Sequence, residues 1–287
     1  MMKRLMAAVV AVLVLVGLSI GLAQAIRTGE QPQASQQPPE NKAGTASNNE
    51  RTPAAGNQKS AMDLMEQAAK DNKYLFGFFW KSDDEKTAAM KKVFEDAVAK
   101  VSERANTAIV RVTDSAEREI VKKFGLDRAP MPLALAIAPN GAVMGGFPGE
   151  FTEEALVNAF GSRSTEKCMK SLQDGKLVFL CVQNDSTELN AEALQGVQEF
   201  KALAQYASFT EIVKLNPADA AEASFLSDLK IDPQTKVAVT AFLAPPGVVI
   251  AEFEGATQKD QLVSTLLQAN SACGPGGSCG PSGCGPR

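Results

Sequence analysis

Few residues in this chain can do covalent or metal chemistry. Its 287 residues hold five cysteines and no histidine. The lack of histidine removes His-based general bases, Ser-His triads and His-containing metal sites. Three cysteines, Cys273, Cys279 and Cys284, fall in the last fifteen residues, and each opens a Cys-Gly-Pro triplet. Their spacings, C-x5-C and C-x4-C, are not the C-x2-C of zinc ribbons. Thiolates on such a Gly-rich segment could hold a soft metal, Cu(I) or Zn(II). Three ligands suit trigonal Cu(I). Four-coordinate zinc would need Cys168 or a second chain. Two other readings stay open: thiol exchange or covalent attachment, and a disordered tail with adventitious disulfides.

The other two cysteines are set in patterned sequence. Cys181 lies inside the apolar run Lys176–Val182 and reads as a small inert hydrophobe. Cys168 lies in Glu166-Lys167-Cys168-Met169-Lys170 at a helix start. Neighbouring lysines could lower its pKa, but no resolving thiol is near in sequence, so it reads as an ordinary surface or half-buried thiol.

The elements that would position a site follow from periodicity. Ser60 can cap a short helix through Lys70. Tyr74–Trp80 (YLFGFFW) is continuously apolar, as a strand buried on both faces would be. Met90, Val93, Phe94, Ala97, Val98 and Val101 recur at helical spacing. Ala108–Thr113 reads as a strand. Asp114 or Ser115 can cap the next helix, which Gly125 closes. Ala129-Pro130-Met131-Pro132 then forces extended backbone into Leu133–Ala138, and Pro139-Asn140-Gly141 turns the chain into Ala142–Phe147. Thr152 caps a last helix, Glu153–Phe160.

An echo follows 106 residues on: Ala138, Pro139, Gly141, Val143, Phe147 and Gly149 recur as Ala244, Pro245, Gly247, Val249, Phe253 and Gly255. The second half reads as helix Thr165–Gln173, strand Lys176–Val182, helix Asn190–Tyr206, strand Glu211–Leu215, helix Ala218–Leu229, hairpin strands Val237–Leu243 and Val248–Phe253, and helix Gln258–Ala269. Both halves give the order βαβα-ββα after a leading helix. That is an α/β class with a mixed sheet between helices.

This order, the strand ending Phe79-Trp80 before an amphipathic helix, and the X-Pro step before a hairpin together resemble the thioredoxin-like superfamily. The resemblance implies two tandem thioredoxin-like domains, at 60–162 and, in more degenerate form, 163–270. It also implies that Pro132 takes the family's cis-proline place, with Met131 before it, facing the redox site and offering backbone groups to an extended peptide. The departure lies in the sulfurs. By spacing from Phe79-Trp80, the places of the family's Cys-x-x-Cys are held by Asp84 and Thr87. A carboxylate at a helix N-terminus caps it but cannot exchange disulfides. The chain therefore reads as non-catalytic, with Trp80, Asp83, Asp84, Met131 and Pro132 as the candidate peptide-binding residues. A metal site from Asp83-Asp84-Glu85 is the minor alternative. In the second half Ala238 replaces Pro132.

The termini set the compartment. Lys3-Arg4 precede the apolar run Leu5–Ala23, and Ala23-Gln24-Ala25 fits a signal-peptidase site. The run is also nearly long enough to span a membrane, so residues 1–25 read as a signal peptide or a signal anchor. Residues 26–59, rich in Gln, Pro, Asn, Ser and Gly, read as a disordered linker, and 271–287 as a Cys/Gly/Pro-rich tail. The protein is expected to be exported, periplasmic or extracellular, and held at the membrane if the N-terminal helix stays uncleaved. A net charge of −4 without a long basic run excludes a nucleic-acid role, leaving a protein or peptide as the expected partner.

Overall fold

The computed structural model describes residues 59–272, with side chains through 269. The expected export segment, nearly all of the linker, and Cys273, Cys279 and Cys284 lie outside the described residues.

The first domain begins with α1 (Ala61–Lys70), held by a reciprocal capping box between Ser60 and Asp63. It continues with β1 (Tyr74–Trp80), α2 (Glu85–Lys100), β2 (Ala105–Arg111), α3 (Arg118–Phe124), β3 (Leu133–Ile137), β4 (Val143–Pro148) and α4 (Glu153–Val157). Its sheet has the order β2-β1-β3-β4, with β2 parallel to β1 and the other two pairs antiparallel. β1 is the spine. Phe76 and Phe78 point into one core with Phe94, Phe147 and Leu156, while Leu75 and Phe79 point into the other with Ile120, Leu126 and Leu135. This two-sided burial is why the strand has no polar alternation.

The second domain repeats the plan with α5 (Arg163–Gln173), β5 (Leu177–Val182), α6 (Asn190–Ala202), β6 (Thr210–Leu215), α7 (Ala223–Leu229), β7 (Val239–Ala244), β8 (Val248–Glu254) and α8 (Lys259–Ala272). Its sheet order is β6-β5-β7-β8, with the same sense of each pair. The repeat extends to single hydrogen bonds. The Gly149 amide donates to Pro132 O at 2.7 Å, and the Gly255 amide donates to Ala238 O at 2.7 Å. Both glycines have φ near +75°, a left-handed conformation that favours glycine. Both hairpins also carry an irregularity at the same register, Ala136/Ile137 and Phe242/Leu243. The chain thus folds as two tandem thioredoxin-like domains of mixed α/β class.

Several element boundaries differ from expectation. β2 starts at Ala105 rather than Ala108, because it is an edge strand whose polar Asn106 and Thr107 still pair with β1. Asp114 caps a short 3-10 turn, Ser115–Glu117, before α3 proper. Asp219 does the same for Ala220–Glu222 before α7. α6 ends at Ala202, not Tyr206, and the chain doubles back so that Tyr206 stacks on Phe200 with ring centroids 4.6 Å apart.

α5 belongs to both domains. Cys168 and Leu172 enter the core of the second, while Met169 enters the core of the first. The Gln173 amide group clamps the edge of β4, accepting from Val143 N at 2.9 Å and donating to Val143 O at 2.8 Å. Tyr74 Oη donates to the buried Glu166 carboxylate at 2.6 Å and accepts from Gly161 N at 3.0 Å. Burial, then the hydrogen bond to Glu166, raises the Tyr74 pKa well above its ordinary value.

Candidate functional site

The candidate site lies where β1, the start of α2 and the entry to β3 converge. Asp84 is the N-cap of α2: its side chain accepts from the Thr87 amide at 2.7 Å. The Thr87 amide, then the Thr87 side chain, with Lys86 adding charge, holds the Asp84 carboxyl below the usual carboxylate range. Thr87 is buried, whereas Asp83 and Asp84 are exposed. Asp84 and Thr87, the two candidate positions named from spacing, are therefore joined by a capping hydrogen bond, which satisfies one orphan amide of the helix.

The Met131-Pro132 bond is cis. Pro132 is buried and accepts from Gly149, while Met131 is half-buried against the core of Phe79 and Leu133. No hydrogen bond engages the Met131 backbone among the described residues, so its N–H and C=O stay available beside the sheet. Trp80 packs on the opposite core, with the Arg111 guanidinium 5.0 Å from its ring centroid. Trp80 and Met131 therefore bound the site from its two faces.

Beside it runs an open cleft of ≈ 570 Å³, lined by Glu85, Lys86, Ala89 and Met90 of α2 and by Glu150, Phe151 and Thr152 after β4. Lys86 pairs with Glu150 at 3.4 Å across it. The cleft wall at 150–152 was not legible in the sequence, because the Lys86–Glu150 pair and the packing of Phe151 on Phe78 and Phe147 bring it to α2 from far along the chain.

The turn after β5 in the second domain is built differently. β1 pairs β3 through Leu75 and Ile137, and β5 pairs β7 through Val178 and Leu243. This register sets Trp80 against Gln183, but the helix starts are two residues further out of step: the N-cap is Asp84 in the first domain and Leu189, without a side-chain cap, in the second. Thr187 Oγ1 lies 2.7 Å from Asn190 Oδ1, and Asn190 Nδ2 donates to Asn184 O at 2.7 Å.

The two described cysteines are inert. Cys168, expected at or near the surface, is fully buried, because its helix packs on both domains. Burial, then the nearby Glu222 carboxylate, pushes its thiol up to about 12. The lysines beside it in sequence do not offset this. Burial raises Cys181 to about 11. The two thiols lie in cores on opposite faces of the second sheet. Among the described residues no group of three or more His, Cys, Asp or Glu is arranged to hold a metal, and no helix is long and apolar enough to cross a membrane.

No family model matches this chain, and no curated protein matches its sequence. Solved structures similar to it are thioredoxin-domain proteins. The first two thioredoxin domains of Saccharomyces cerevisiae Eps1p are 10% identical, covering 74% of this chain and 98% of that one, with a TM-score of 0.28. The zinc-bound form of human ERp44 is 11% identical, covering 75% of this chain and 61% of that one, with a TM-score of 0.31. Chloroplastic thioredoxin z is 12% identical over 34% of this chain and 85% of that one, with a TM-score of 0.29.

Proposed function

We propose that this protein is an exported, redox-inactive thioredoxin-like binding module that holds an extended segment of a client or partner protein along Met131. The carrying observation is the pairing of a capped Asp84-x-x-Thr87 turn, which has no sulfur chemistry, with unengaged Met131 backbone groups beside it. An extended chain can add its own N–H and C=O there, and Trp80 and the Met90–Phe151 cleft take its side chains. Asp83 and Asp84 supply negative charge at one end of the groove. The apolar run Leu5–Ala23 and the linker after it support export and a tethered position. Capture of a permanently unfolded, carboxymethylated client by wild type, lost in Met131→Arg and Asp83→Lys/Asp84→Lys, tests the reading. Undiminished capture by those variants overturns it.

A second reading rests on the three Cys-Gly-Pro triplets of the tail. It gives Cys273, Cys279 and Cys284 a soft-metal or thiol-exchange role. With Cys168 in the core, the tail offers three thiolates, a set that suits trigonal Cu(I). Metal analysis before and after removal of 273–287 tests it. Metal content unchanged by the deletion, together with tail thiols that exchange no faster than those of a free peptide, excludes it.

A further inference from the structure

The second domain has an uncovered strand edge of its own, remote from the groove and from the function proposed above. β6 is the outer strand of its sheet and pairs only with β5. Leu215 O accepts from Gln183 N, so Leu215, Val213 and Glu211 turn their backbone groups toward β5. Alternation then turns those of Thr210, Ile212 and Lys214 outward. The only protein group reaching them among the described residues is the Lys167 ammonium, 3.4 Å from Ile212 O. The edge is not collapsed against a neighbour. It floors an open cleft of ≈ 530 Å³ between α5 and α6, with Ser164 and Lys167 on one wall, Leu194 and Gln198 on the other, and Ile212 and Lys214 below.

The charge around this edge opposes that of the whole chain. Arg163, Lys167, Lys176, Lys201 and Lys214 surround the strand. The one carboxylate among them, Glu211, is already paired with Lys167 at 2.9 Å and Lys201 at 3.7 Å. The result is a basic rim on a protein of net charge −4. Basic side chains along an edge discourage pairing with another apolar or basic strand. They complement a strand that alternates acidic and apolar residues, whose apolar side chains would meet Leu194 and Ile212.

We infer that the β6 edge is a docking site for an extended acidic segment of a partner protein, which adds as a further strand between α5 and α6. The test uses the full chain and a fluorescein-labelled peptide of alternating glutamate and valine, read by anisotropy at two salt concentrations. The expected result is saturable binding that weakens with salt. The dissociation constant should rise about tenfold in Arg163→Glu/Lys214→Glu, with an unchanged circular dichroism spectrum. A peptide N-methylated at alternate residues, which keeps its charge but lacks the donors, should bind at least about tenfold more weakly. Equal binding of the methylated peptide, of a lysine/valine peptide or of an oligothymidylate would overturn the proposal, as would no saturable binding.

Discussion

The Thr87 amide donates to the Asp84 carboxylate at 2.7 Å, joining the two residues that open α2 after the strand ending in Trp80. The bond caps the start of α2. Asp84→Ala should lower the denaturation midpoint, and Asp84→Ser, which can still cap, should restore most of the loss. Because the folded carboxyl titrates below its ordinary 3.8, its contribution is present above that pH and disappears as pH falls through the folded value. Acid titrations of wild type and Asp84→Ala should therefore converge at low pH.

If sulfur is all that the site lacks for dithiol chemistry, restoring it is informative. The double substitution Asp84→Cys/Thr87→Cys should form a disulfide within the chain and give measurable insulin reduction. Wild type should give none in the same assay.

The tie between domains should be measurable through Tyr74. Tyr74→Phe leaves the buried Glu166 carboxylate without its donor at 2.6 Å and Gly161 N without its acceptor. The expected loss is about 1.5–3 kcal/mol in urea unfolding. Since α5 is shared, both domains should shift, which one tryptophan probe at Trp80 and far-ultraviolet dichroism can report separately.

α6 packs against the turn before α8 at a contact that permits no side chain. A Cβ at Gly196 would lie 1.7 Å from Thr257 O. Gly196→Ala should cost about 3 kcal/mol. Gly175→Ala, where nothing lies within 4 Å and only φ of +78° opposes the change, should cost about 1 kcal/mol.

The buried thiols make a further prediction. Cys168 and Cys181 are raised to about 12 and about 11 from the ordinary 9.0. With pKa values raised in the folded state, the thiols' contribution is complete below the ordinary value and is lost as pH climbs through the folded values. Stability should thus decline above pH 9, less so in Cys168→Ala. Iodoacetamide at pH 8 should label neither thiol until denaturant is added.

How much was legible before the structure depended on whether one pattern served one purpose. β1 was read to the residue, since a seven-residue apolar run has a single meaning when bounded by polar turns. Asp84 and Thr87 followed from a fixed distance to Trp80. The polar turn Asn184–Asn190 of the second domain did not, because the two domains differ by three residues between the first and third strands, so the 106-residue echo of the hairpins fails there. Cys168 was misplaced for another reason. α5 buries two faces, and Lys167 and Lys170 between them gave its sequence the look of an exposed helix. The β6 rim was hidden because its basic residues come from three elements far apart in the chain.

The central claim is that the groove beside Met131 holds an extended chain without redox chemistry. It is tested most directly by amide NMR of the full chain titrated with an unfolded, carboxymethylated client. The account expects saturable shifts at Trp80, Met131, Leu133 and Glu150–Thr152, abolished by Met131→Arg. Shifts absent from these residues, or retained in that variant, would contradict it.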